Sequence, residues 1–249
     1  MTSNLLFAPF FNAILSGAGR VRIHWLKSRF GTFFGLFLGI FSLFLLPGCS
    51  ALPDKPVRAS MYDFGPGALA TVPTTREAPL PALAIDEIAT SGGALDNMAV
   101  LYRLTYQDAQ QLRPYSQARW SMPPAQLVRQ RLREQLGQRR AIFDARGGLA
   151  LNRSQNPVLP LLLRLDLEEF SHVFTTPDAS VGLIRLRATL IEQATSGEKL
   201  IAQRSVVVQR PAPTADAPGG VKALTAATDA AIEDIDQWLR QSTPAVPNR

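Results

Sequence analysis

The sequence predicts an α+β fold: a largely antiparallel sheet carrying two packed amphipathic helices, behind an apolar leader and a Pro/Gly-rich tether. Three observations carry this expectation. Short apolar-alternating runs follow one another in series between residues 80 and 210. Two stretches, near residues 124–136 and 224–240, repeat apolar side chains at helical spacing. Strands and helices do not alternate one for one, which disfavours a parallel sheet built from strand–helix–strand units.

The chain opens with residues 1–48, which contain no Asp or Glu. Arg20, Arg22, Lys27 and Arg29 precede Phe33–Leu46, an uncharged run reading FFGLFLGIFSLFLL. A basic flank, a short apolar core and small residues before a cleavage point form the layout of a secretory signal. The core is shorter than the roughly 18 to 20 residues that span a bilayer as a helix. Directly after it stands Cys49, the single cysteine of the chain, so neither an internal disulfide nor a multi-Cys zinc site is available. Leu46-Pro47-Gly48-Cys49 resembles the lipobox of bacterial lipoproteins. That resemblance implies cleavage before Cys49, acylation of its thiol and new amino terminus with palmitate-type chains, and stable anchoring by several acyl chains. Ser50, where enteric lipoproteins kept at the inner membrane carry Asp, implies sorting to the outer membrane, on its periplasmic face.

Four of the 26 basic residues lie in the leader, which leaves 22 against 20 acidic ones in the mature part. The basic pI is therefore mostly a targeting effect, and nucleic-acid binding loses its main support.

Residues 49–79 form the lipidated start and tether, rich in Pro, Gly, Ala and Thr, with Ser60–Phe64 as one extended piece able to join an edge. The domain is expected over residues 80–241, followed by a tail at 242–249. "LPALAIDEI" and "MAVLYRLTY" read as strands, "RPYSQARWS" as an extended segment. Pro123-Pro124 opens a helix carrying Leu127, Val128, Leu132 and Leu136, with Ser121 as its expected cap and Gly137 at its end. Leu161, Leu163, Leu165 and Leu167 alternate with Leu162, Arg164, Asp166 and Glu168, a half-buried strand. "VGLIRLRATLIEQ" and "KLIAQRSVVVQR" follow, joined by a turn at Thr195–Glu198. After a turn expected at Gly219-Gly220, Leu224, Ala227, Ala231, Ile232, Ile235, Trp238 and Leu239 line one face of a long helix.

Catalytic patterns are sparse. Ser196-Gly197-Glu198-Lys199 matches Ser-x-x-Lys, but that chemistry needs a helix start and the four residues sit at an expected hairpin turn. Asp166 and Glu168 share a strand face, where pairing with Arg164 is the plainer reading than acid–base work. With His24 in the leader, His172 is the one histidine of the mature chain, and a polar strand-end residue is its plainer reading. No metal or cofactor constellation is legible, and no enzymatic activity is expected. Arg129, Arg131, Arg133, Arg139 and Arg140 make the first helix basic, a solvated face or a surface for anionic partners. Strand alternation places Trp120 inward and puts Tyr115 and Arg119 on the opposite face as partner-binding candidates.

The stretch "YRLTYQDAQQLRPYSQARWSMPPAQLVRQRLREQL" combines a Tyr-bearing strand, Arg-x-Tyr-x-x-x-x-Trp, Pro-Pro and an amphipathic helix. With the lipobox, Tyr62-Asp63-Phe64, "LLLRLDLEEFSHVF" and the closing helix with Trp238, it resembles the ABC-type transport auxiliary lipoproteins. The resemblance implies a periplasmic, lipid-anchored accessory of an MCE-type system that moves phospholipid between membranes. Its implied partners are an MCE-domain protein, the ABC permease and ATPase, the membrane itself, and further copies of the chain. An independent chaperone for lipid or lipopolysaccharide assembly, binding amphiphile in its own groove, is the competing reading.

Overall fold

The structure is a computed structural model, and it describes residues 58–67, 80–145, 159–194 and 197–243. The leader, Cys49, Ser50 and residues 244–249 lie outside the described residues, while the expected tail's Ser242 ends the last helix. Nine strands and two α-helices are found among the described residues, giving the expected α+β class. In chain order the strands are β1 (Ser60–Tyr62), β2 (Leu83–Ile85), β3 (Ala89–Thr90), β4 (Ala99–Leu104), β5 (Asp108–Trp120) and β6 (Ile142–Asp144). β7 (Leu161–Phe174), β8 (Ser180–Ala194) and β9 (Gly197–Pro211) complete the sheet. The helices are α1 (Pro124–Leu136) and α2 (Ala217–Ser242).

β7 is the spine of the sheet. β8 and then β9 pair antiparallel along one of its edges. Along the other edge lie three short strands in file: β2 against Leu161–Leu163, β3 against Asp166–Leu167, and β4 against His172–Phe174. These three pairings are parallel, as are β2–β6 and β1–β5, so the sheet is mixed although its long ladders are antiparallel. Ser60–Tyr62 does add at an edge, beside β5, and Phe64 enters the core. Residues expected in the tether therefore belong to the domain's packed body.

The leucine alternation of β7 buries Leu163, Leu165 and Leu167. A register shift between Leu167 and Glu169 then moves the buried set to Phe170, His172 and Phe174. Both sets face the helices. α2 crosses β8 where Gly182 removes any side chain: a Cβ built there would lie 2.4 Å from the backbone nitrogen of Leu224. Ile184, Leu186, Ala188 and Leu190 continue the same buried face of β8.

α1 opens at Pro123-Pro124 as expected, but without the expected cap, and the start of α2 departs from expectation. α1 follows Pro123 without a side-chain cap, and the backbone N–H of Ser121 donates to the Tyr62 carbonyl at 2.8 Å. α2 begins ahead of Gly219-Gly220. Asp216 caps it, accepting the Gly219 N–H at 2.8 Å and the Thr214 hydroxyl at 2.6 Å. The glycine pair is helical because there is no room for side chains: a Cβ on Gly219 would strike the Thr214 carbonyl oxygen, and one on Gly220 would lie 2.4 Å from His172 Nδ1.

The arginines of α1, and Arg139 and Arg140 just beyond its end, do not form a solvated face. Arg131 is buried, pairs with Asp229 of α2 at 3.0 Å and donates to the Phe64 carbonyl at 2.8 Å. Arg140 is likewise buried against Asp236 at 2.6 Å. Arg129 and Arg133 both meet Asp144 of β6, and Arg139 is engaged as well. The basic stripe is a set of ties between α1, α2 and β6. Its partners come from distant parts of the chain, which is why spacing along the helix gave no sign of them.

Candidate functional site

β5 carries the residues the sequence singles out, and its geometry decides what each can do. Ala99 of β4 stands opposite Arg119, yet Leu101, two residues on, stands opposite Pro114. The extra residues on β5 form a wide irregularity that breaks the strict inward–outward alternation. Tyr115 and Trp120, expected on opposite faces, both pack against the same core. Trp120 is fully buried, with Phe64 edge-on at 5.7 Å between ring centroids and Phe170 at 5.6 Å. Tyr115 is half-buried rather than a free surface anchor.

Arg119 spans the irregularity. Its guanidinium donates to the carbonyls of Tyr115 and Ala118, the latter at 2.8 Å. It thereby satisfies backbone groups that regular pairing with β4 would otherwise engage. Its cross-strand partner on β1 is Met61, which is 68% exposed. Alternation identifies this pair after the fact: Tyr62 and Trp120 pair inward, so Met61 and Arg119 face away from the helices. Sequence reading missed Met61 because a three-residue edge strand offers too short a pattern.

The Tyr115 hydroxyl lies 2.9 Å from Nδ1 of His172. Around this pair stand Tyr102, with its ring 4.6 Å from that of Tyr115, and Phe174, 4.4 Å from the imidazole. His172 is fully buried, and Nε2 has no hydrogen-bond partner among the described residues. Burial pushes the imidazole down to about 4 against a weaker opposing pull from Asp216, so the ring is neutral at pH 7. Burial first, then the neighbouring Tyr102 and Asp216, pushes the Tyr115 phenol above its ordinary range. Histidine, tyrosine and aspartate thus converge, but Asp216 is held low by its own bonds to Thr214 and Gly219, and its carboxylate caps the helix. The nearest serine in sequence, Ser171, is buried and donates to Glu169 at 2.6 Å, on the strand's other face. The cluster is an aromatic joint between sheet and helix.

The other candidates are dispersed. Arg164 pairs with Asp86 at 3.2 Å and Glu198 at 2.8 Å, not with Asp166 or Glu168 as expected. The bond from Arg164 lowers the Glu198 carboxyl, and the two bonds together raise the Arg164 guanidinium. Glu168 meets Arg187 on β8 instead. Gly197–Lys199 start β9, while Ser196 lies outside the described residues. Among the described residues no group of three His, Cys, Asp or Glu side chains is placed to hold a metal, and no helix is long and apolar enough to cross a membrane.

Two open grooves border α1. One, of about 610 Å³, is lined by Glu87, Asp96, Gln126, Arg129 and Arg133 among others. The other, of about 860 Å³, lies along α1 and α2 and includes Arg131, Glu134, Asp229 and Asp236. Apolar side chains share these walls, Ile88, Leu95 and Ala125 in the first and Leu136 and Ile232 in the second.

A family model described as the ABC-type transport auxiliary lipoprotein component matches residues 62–236. Among solved structures, a protein of Xanthomonas campestris assigned to DUF330 aligns at 17% identity and a TM-score of 0.55, over 74% of this chain and 96% of its own. A structure described only as an uncharacterised protein aligns at 14% identity and 0.50, over 75% and 99%. At such identities the likeness is one of fold. A search of curated proteins finds no match.

Proposed function

The chain belongs to the ABC-type transport auxiliary lipoproteins, and we propose that it is the outer-membrane-anchored docking component of an MCE-type intermembrane lipid transport system. The match over residues 62–236 is the observation that carries the reading. Membership supports association with ABC transport and a non-enzymatic accessory role. The lipobox-like Leu46–Cys49 supports anchoring through Cys49, and Ser50 supports the outer membrane as destination. Replacement of Cys49 by Ala should abolish both signal cleavage at that site and incorporation of a fatty-acid analogue. Label retained in the Cys49→Ala chain would remove the anchor from the account.

Docking by such a domain relies on exposed anchors set in a rigid frame. Of the two expected anchors, Tyr115 is committed to His172, whereas Arg119 lies on the outward face beside exposed Met61. We place the partner surface at this Met61–Arg119 row, on the β1 edge of the sheet. Met61→Asp should weaken capture of the transport partner by about 2 kcal/mol, roughly 30-fold. Its melting temperature should stay near wild type, because exposed substitutions usually change stability by about 0.5 kcal/mol or less. Capture that is unchanged in this variant would put the partner surface elsewhere on the domain.

A further inference from the structure

The first turn of α2 rests on His172 in an unusual way. A Cβ on Gly220 would sit 2.4 Å from Nδ1 and 2.6 Å from Cγ of that ring, so bare helix backbone lies directly on the imidazole. A helix N-terminus carries partial positive charge, so a cationic ring beneath it is disfavoured. The hydrogen-bond pattern points the same way. Nδ1 is taken by the Tyr115 hydroxyl, and Nε2 has no partner among the described residues. Whichever tautomer the neutral ring takes, a second proton makes both nitrogens donors: Nδ1 can no longer accept the Tyr115 proton, and the Nε2 N–H has no acceptor among the described residues. We propose that His172 is an acid-sensitive latch: the neutral ring seats the first turn of α2 on β7, and protonation releases that turn.

The groups facing the ring offer no compensation. Tyr115 of β5 and Tyr102 of β4 are phenols, and Phe174 of β7 is apolar. Asp216, the one carboxylate acting on the ring among the described residues, already accepts from Gly219 and Thr214 and also feels Lys222 of α2. Burial holds the imidazole at about 4, below its ordinary 6.5. A ring whose folded value is depressed favours release as pH falls from 6.5 towards 4, where the imidazole freed by release binds the proton first.

Release stays local because the two parts of α2 are held differently. Its first turn meets Thr214 and His172 through Gly219 and Gly220 and the next turn crosses Gly182 at Ala223 and Leu224, whereas Ile232, Ile235 and Leu239 are fully buried further along. Opening the turn would uncover the Tyr102, Tyr115 and Phe174 rings.

The test is amide hydrogen exchange on the full chain in detergent micelles at pH 7 and pH 4.5, corrected for the intrinsic pH dependence of exchange. Opening of Gly219–Leu224 should rise by roughly 50- to 100-fold, as the two titration positions require, while Ile232–Leu239 stays protected. His172→Gln should abolish the rise. An equal rise in His172→Gln, or opening of Ile232–Leu239 in step with the first turn, overturns the latch. Should His172→Gln fail to fold, Tyr115→Phe keeps the question open to measurement. With His24→Gln added, one imidazole remains to follow by NMR, and its titration midpoint must move together with the opening midpoint. Midpoints that move apart overturn the proposal.

Discussion

Trp120→Ala should lose about 3 to 5 kcal/mol of stability and unfold much of the chain at modest urea concentration. The indole is fully buried between Phe64, edge-on at 5.7 Å and 83°, and Phe170 at 5.6 Å. Each aromatic contact of this kind adds about 0.5 to 1.5 kcal/mol beyond burial. The damage should spread, because Phe64 carries the β1 segment into the core and its carbonyl receives buried Arg131. Trp120→Phe should recover most of the loss, since the indole Nε1 has no hydrogen-bond partner among the described residues. Urea midpoints of the two variants test this. A wild-type midpoint for Trp120→Ala would mean that the ring is not the keystone of the β1–β5 corner.

Gly182→Val should cost about 3 kcal/mol, at the upper end of what overpacking usually costs. Its Cβ would lie 2.4 Å from Leu224 N, 2.5 Å from Ala223 C and 2.8 Å from Ala223 O. These are helix backbone atoms, so no rotamer change relieves the clash, and α2 must lift from β8. Gly93→Ala is the control, because nothing lies within 4 Å of the added methyl. It should change stability by about 0.5 kcal/mol or less. Chemical denaturation followed by tryptophan fluorescence distinguishes the two. Equal, small changes would show that α2 does not rest on β8 at this point.

Local patterning made most of the elements legible. The leucines of β7, the paired long strands β8 and β9, and the apolar stripe of α2 are where periodicity puts them. Two register shifts were not legible. At Glu168 and Glu169 either residue fits an outward position, so the sequence is silent on the shift that turns His172 inward to the helices. On β5 the irregularity before Arg119 defeats a face assignment made by counting, and Tyr115 goes inward as a result. Gly219-Gly220 reads as a turn because glycine is a poor helix former, while the reason for it, lack of space over His172 and Thr214, belongs to tertiary packing. The parallel pairings of β2, β3 and β4 join residues far apart in the chain and leave no local signature.

At the candidate site, Arg119 was legible as a β5 residue on the face opposite Trp120, but its exposed neighbour Met61 was not. Burial of Arg131 and Arg140 was hidden for a related reason: their acidic partners, Asp229 and Asp236, sit on the other helix. Charge spacing along one helix shows which side chains are charged, not which of them find a partner.

The docking role itself is tested most directly by purifying the lipid-anchored full chain from crosslinked cell envelopes and identifying what comes with it. The account predicts an MCE-domain protein together with the ABC permease and ATPase, reduced in Met61→Asp and lost from the outer-membrane fraction in Cys49→Ala. Recovery of stoichiometric phospholipid or lipopolysaccharide, with no transport protein, would contradict it and make the chain an independent amphiphile chaperone.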